Sequence, residues 1–146
     1  VTEHQDLLSA SALTAFRLNG QFLSLAERLA EPAGLTATRW QVLGAVLGQP
    51  LPVAAIARAM GITRQSVQRT ADLLAADGLV EFRDNPAHRR AKLLAPTAAG
   101  LAAVRAIDPG HRVAADRLSE LLDADRWRQA LDALRDLSAA LDKLHP

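Results

Sequence analysis

The stretch that decides the fold is Ile56–Glu81, "IARAMGITRQSVQRTADLLAADGLVE". Gly61 breaks one short apolar-periodic segment, and Thr63 offers an N-cap for the next. On the upstream side, "PVAAIARAM" (Pro52–Met60) reads as a short helix. Pro52 pre-sets its first turn, and Ala55, Ile56 and Met60 supply its apolar stripe. On the downstream side, "RQSVQRTADLLAADG" (Arg64–Gly78) reads as a second helix that stops at Gly78. Ala57 is small where the two helices must cross closely, and Ile62, Val67 and Leu74 are placed to bury themselves beneath the second helix. Helix, three-residue turn, helix is the helix-turn-helix pattern. With Val67 and Leu74 inward, Arg64, Gln65, Gln68, Arg69 and Asp72 face solvent. Gln can pair with adenine edges, and Arg with guanine edges or phosphate. A polar helix face can also be mere solvation, so the next segment carries the decision.

That segment is "LVEFR" (Leu79–Arg83), which alternates with period two: Leu79, Glu81 and Arg83 on one face, Val80 and Phe82 on the other. "AKLLAP" (Ala91–Pro96) gives a short returning strand. Between them, "DNPAHRRAK" (Asp84–Lys92) combines the turn signal Asn85-Pro86 with the densest positive charge in the chain. A helix-turn-helix followed by a hairpin with a basic tip is a winged helix. Its second helix enters the major groove, and its wing reaches phosphate or the adjacent minor groove. The candidate DNA contacts are Thr63, Arg64, Gln65, Ser66, Gln68 and Arg69 on the helix, with Arg83, His88, Arg89, Arg90 and Lys92 on the wing. Protonation of His88 would add charge at this tip, although a neutral exposed imidazole is the plainer reading.

The charge distribution agrees. Net charge is −1 over residues 1–49, +3 over 50–95 and −1 over 96–146, for +1 in total. A locally basic module between near-neutral flanks attracts phosphate whatever the total. The chain of 146 residues has no cysteine, which fits a reducing cytoplasm and excludes a Cys-based zinc site and a catalytic thiol. No apolar run approaches membrane-spanning length, and the N-terminus lacks a basic-then-apolar signal pattern. A soluble cytoplasmic protein with no membrane association is expected. His4, His111 and His145 are scattered without metal-ligand spacing, so no metal site is expected. No enzyme is expected either, and no catalytic residue or cofactor. Ser66 has no nearby base, there is no Gly-rich phosphate loop, and the carboxylates are dispersed.

The flanks are helical. Leu8, Ala12, Ala15, Phe22, Leu25 and Leu29 mark an amphipathic helix to about Ala30, ended by Pro32 and Gly34. Thr36 caps a helix carrying Trp40, Leu43, Val46 and Leu47. Thr97 caps "AAGLAAVRAI", which must kink at Asp108-Pro109-Gly110 or restart there with Asp108 as the new cap. The last helix carries Trp127, Leu131, Leu134, Leu137, Leu141 and Leu144, a stripe regular enough to need a partner.

In residue order, "LTATRWQVL", the helix-turn-helix stretch and "NPAHRRAKLLAPTAAG" resemble the multiple-antibiotic-resistance-regulator (MarR) family of bacterial transcription factors. The resemblance spans essentially the whole chain, most specifically Leu35–Gly100. Gly61-Ile62-Thr63 resembles the family's helix-turn-helix junction, and Gly78-Leu79-Val80-Glu81 the lead-in to its wing. Asn85-Pro86 is similar to its wing turn, Arg89-Arg90 to its basic pair, and Thr97 with Gly100 to the opening of the next helix. The resemblance implies a mainly α fold with a small β-hairpin wing: a winged helix-turn-helix core (35–96) flanked by N-terminal (1–34) and C-terminal (97–146) dimerisation helices. It implies a homodimer, built here through Leu8, Ala12, Trp127, Leu131, Leu134, Leu137, Leu141 and Leu144. The DNA would be a double-stranded, pseudo-palindromic operator and the activity most often repression. A small aromatic or anionic effector would relieve it, with Phe16, Arg17, Trp40 and His111 as candidate pocket residues. A winged helix used only for protein–protein contact is the alternative, and would more often expose apolar residues on the second helix.

Three positions depart from the family pattern. His88 stands where the usual Asp-Pro-x-Asp-Arg-Arg wing has its second Asp, which pairs with the last Arg. Arg90 is therefore left either to phosphate or to a brace from Asp84. Phe82 replaces a common Arg, with Arg83 next door to compensate, and Pro96 replaces the usual Leu and ends the returning strand.

Overall fold

The computed structural model describes residues 1–144, so His145 lies outside the described residues. Helix α1 (Glu3–Ala30) opens on a capping box. Thr2 Oγ1 accepts from the Gln5 N–H at 3.2 Å, and Gln5 Oε1 accepts from the Thr2 N–H at 2.8 Å. The helix thus begins ahead of Leu8, the first residue its apolar periodicity marks, because its cap is polar. A single 3-10 turn at Glu31–Ala33, with Pro32 in it, ends the helix before Gly34. Helix α2 (Ala37–Ala45) follows, capped by Thr36 Oγ1, which accepts from the Arg39 N–H at 3.1 Å. Its first N–H, on Ala37, donates to Glu27 Oε1 of α1 at 2.7 Å.

Strand β1 (Leu51–Pro52) precedes α3 (Val53–Met60), α4 (Arg64–Ala76), β2 (Val80–Arg83), β3 (Leu93–Pro96), α5 (Ala98–Leu121) and α6 (Ala124–Leu144). The wing is consequently a three-stranded antiparallel sheet, ordered β1-β3-β2, and not the hairpin alone that the sequence led us to expect. Leu51 pairs with Leu94 and Pro52 with Leu93. Pro52 is tolerated there because β1 is an edge strand and also leads into α3. In the hairpin, Val80 faces Pro96 and Arg83 faces Leu93, so Pro96 is the last residue of its strand.

The chain divides into two compact units, Val1–Asp108 and the residues from Pro109 onward. The first holds an aliphatic core in which Leu43, Ile56, Leu74 and Leu94 are among the largest fully buried side chains, with Val42, Val46 and Val67 beside them. Trp40 packs against this cluster, half-buried. Ile62 departs from expectation: it is 37% exposed and holds the turn through its backbone, not by burial. In the second unit, Asp123 caps α6, its Oδ1 accepting from the Arg126 N–H at 3.0 Å.

Helix α5 neither stops at Asp108 nor restarts there; Pro109 lies inside it. Proline removes one N–H and leaves the carbonyl four residues earlier without its donor. That carbonyl belongs to Arg105, which is exposed along with Asp108, Pro109 and Gly110, so water can satisfy it and the helix carries on.

Candidate nucleic-acid interface

The junction between α3 and α4 is fixed by backbone. Gly61 adopts φ 67°, the left-handed conformation that ends α3, and the Ile62 N–H donates back to the Ala57 carbonyl at 3.1 Å. Ala57 is buried, and its small side chain allows the close approach. Thr63 then caps α4, its Oγ1 accepting from the Ser66 N–H at 3.1 Å. At the far end Gly78, at φ 75°, repeats the device, with the Leu79 N–H on the Leu74 carbonyl at 2.9 Å.

These constraints present one face of α4. Val67, Thr70, Ala71 and Leu74 are buried at helical spacing. Arg64, Gln65, Gln68 and Arg69 are exposed on the opposite face, Thr63 is exposed at the cap and Ser66 is half-buried. Gln68 Nε2 donates to Asp72 Oδ1 at 3.0 Å, which orients the amide while leaving its second N–H and its oxygen available.

The wing tip is held by main-chain hydrogen bonds together with the Asn85 side chain. Asn85 Oδ1 accepts from the Ala87 N–H at 3.0 Å. The His88 N–H donates to the Asn85 carbonyl at 3.1 Å, and the His88 carbonyl accepts from the Ala91 N–H at 3.3 Å. One residue thus closes two consecutive tight turns. The brace from Asp84 to Arg90 is not formed. Among the described residues, the side chains of Arg64, Arg69, Arg89, Arg90 and Lys92 make no ion pair or hydrogen bond. Arg83 differs: its Nη2 lies 2.8 Å from Glu81 Oε1, so the charge offered as compensation for Phe82 is already engaged. Both belong to the strand face that period two had grouped together, a signal that could have found the pair.

A groove of about 370 Å³ runs between the start of α3, the first turns of α4 and the wing. Arg64, Gln65 and Gln68 line it from α4, and Arg90, Ala91 and Lys92 from the wing. Pro52, Val53 and Ala54 complete it, and sequence reasoning had given these three no part in the site. Three segments distant in the chain build it, so no local pattern reports it.

The remaining candidates lie elsewhere. Phe16 is 72% exposed on α1 near the exposed Arg17, whereas Trp40 packs on the core and His111 is exposed on α5 in the second unit. Leu8 is exposed and Ala12 half-buried on α1. On α6, Leu131, Leu134, Leu137 and Leu141 are each about two-fifths exposed, Leu144 more so, and Trp127 is half-buried. No helix among the described residues is long and apolar enough to cross a membrane, and no group of acidic or histidine side chains among them could hold a metal ion.

A helix-turn-helix with an exposed Arg/Gln face, continued by a basic wing, defines a winged-helix DNA-binding regulator. The model of the MarR family matches residues 33–91, and the chain belongs to this family of transcription regulators. An uncharacterised protein of Mycobacterium tuberculosis is 36% identical over 141 residues, covering 97% of this chain and 99% of the relative. Among solved structures, MosR of M. tuberculosis in complex with DNA is similar with a TM-score of 0.76 at 22% identity, over 92% of this chain and 98% of that one. CouR of Rhodococcus jostii bound to p-coumaroyl-CoA has a TM-score of 0.76 at 24% identity, over 86% and 90% of the two chains. At these identities the two structures share the fold.

Proposed function

We propose that this regulator is a homodimeric repressor of a pseudo-palindromic operator. The observation that carries the reading is the set of cations on α4 and the wing that have no acidic partner among the described residues. Two copies of α4 enter successive major grooves, about 34 Å apart along the duplex. Gln65, Gln68 and Arg69 meet base edges, and the wing grips the flanking backbone. The apolar stripes of α1 and α6 support dimerisation, since leucines two-fifths exposed along one helix face call for a cover. A small aromatic or anionic effector relieves repression in this reading, which is supported by the ligand of CouR, and Phe16, Arg17, Trp40 and His111 are its candidate contacts.

The test is selection of bound fragments from the source genome, followed by titration of the enriched duplex. Arg69→Ala is expected to relax preference at particular base pairs, by about 1–3 kcal/mol of lost discrimination at each. Arg89→Ala is expected to weaken binding to all duplexes alike. Failure to enrich any sequence would sink the operator reading and favour a protein-binding winged helix.

A further inference from the structure

The sequence presents Arg89 and Arg90 as a pair, but the folded wing separates them. Arg90, Ala91 and Lys92 line the groove shared with α4, whereas His88 and Arg89 do not. We propose that Arg64, Arg90 and Lys92 together clamp one backbone phosphate of duplex DNA in this groove, with Arg89 left to act separately at the tip. The proposal rests on the DNA-binding reading above and assigns a specific contact within it.

Three observations carry it. First, the groove gathers three cations from two elements, and no Asp or Glu lines it. None of the three has an ion-pair partner among the described residues. Like charges brought together repel, weakly because they are exposed and screened, and an anion between them turns the arrangement favourable. Second, α3 begins at the groove with Pro52 as N-cap, and no side chain caps its first turn. The uncapped amino end adds a partial positive charge to the same place. Third, the rest of the lining is neutral. Gln65 and Gln68 can donate to phosphate oxygens, and Pro52, Val53, Ala54 and Ala91 give apolar surface that suits the deoxyribose on either side.

A shared phosphate makes a quantitative prediction. The salt dependence of binding counts the phosphates neutralised, with a slope of about −0.9 for each. Binding of the selected duplex is followed by fluorescence anisotropy across a sodium chloride series, with thermal melts to establish that each variant is folded. Arg64→Ala, Arg90→Ala and Lys92→Ala are each expected to flatten the slope by less than about 0.9, and the triple variant by about 0.9 in total. A total near 1.8 or more would place the cations on separate phosphates and overturn the clamp.

A second arm uses the unaltered protein on duplexes that each carry one neutral methylphosphonate linkage. One linkage position should flatten the slope, and at that position Arg64→Ala and Arg90→Ala should lose their effect together. Suppression of the two variants at two different positions overturns the proposal. Absence of binding to any duplex is a different result: it removes the DNA-binding reading itself, and the clamp with it.

Discussion

Thr97 fastens the wing to the helix that follows. Its N–H donates to the Leu79 carbonyl at 3.1 Å, its hydroxyl donates to the Gly78 carbonyl at 2.6 Å, and its Oγ1 accepts from the Gly100 N–H at 3.1 Å. Gly100 is buried one turn further on, and a Cβ there would collide with the Leu79 carbonyl oxygen. Backbone cannot swing aside as a flexible side chain can. Gly100→Ala is therefore expected to destabilise the fold by about 1–3 kcal/mol, the usual cost of overpacking. Urea denaturation monitored by circular dichroism measures it, and an unchanged midpoint would contradict the close approach. The sequence marks Thr97 as a helix cap, but Gly100 through family resemblance alone. The reason for the glycine lies in a contact with Leu79, twenty-one positions earlier in the numbering, which no local pattern encodes.

Among the elements, the two helices of the DNA-binding motif were the most legible. Gly61, Thr63 and Gly78 are local punctuation, and each sits where its chemistry requires. The wing was legible as a hairpin because period-two alternation is also local. Strand β1 was not: two residues carry no periodicity, and their only strand signal is a partner more than forty positions away, at Leu93 and Leu94. Within β2, the Glu81–Arg83 pair sets the wing-root charge near zero. Both side chains are about half exposed, so the pair contributes little to stability. Its influence should show in binding instead. Glu81→Gln is expected to release Arg83, tighten DNA binding at low salt and steepen the salt slope by up to about 0.9. An unaltered slope would show that Arg83 reaches no phosphate.

At the scale of the molecule, the apolar face of α6 dominates. Trp127, Leu131, Leu134, Leu137, Leu141 and Leu144 recur at steps of three and four, yet no residue of α6 is fully buried within one chain. The stripe was plain in the sequence, while what covers it is not written in one chain. Leu134→Glu combined with Leu137→Glu is expected to convert the proposed dimer to monomer, read by light scattering after size exclusion. Operator affinity should fall by at least about a hundredfold, because two linked half-sites gain about 10²–10⁴ over one. A variant that stayed dimeric would move the interface off α6.

A wing tip shaped by the peptide groups of Asn85, His88 and Ala91 and by the Asn85 side chain, with no part for the side chain at position 88, has an evolutionary consequence. Where a carboxylate must meet an arginine to hold the tip, the two positions can change only together. Here no side chain at position 88 supports the one at position 90, so the two sites are free to drift independently. Position 88 can sample new chemistry against DNA in single mutational steps, without first passing through a misshapen wing.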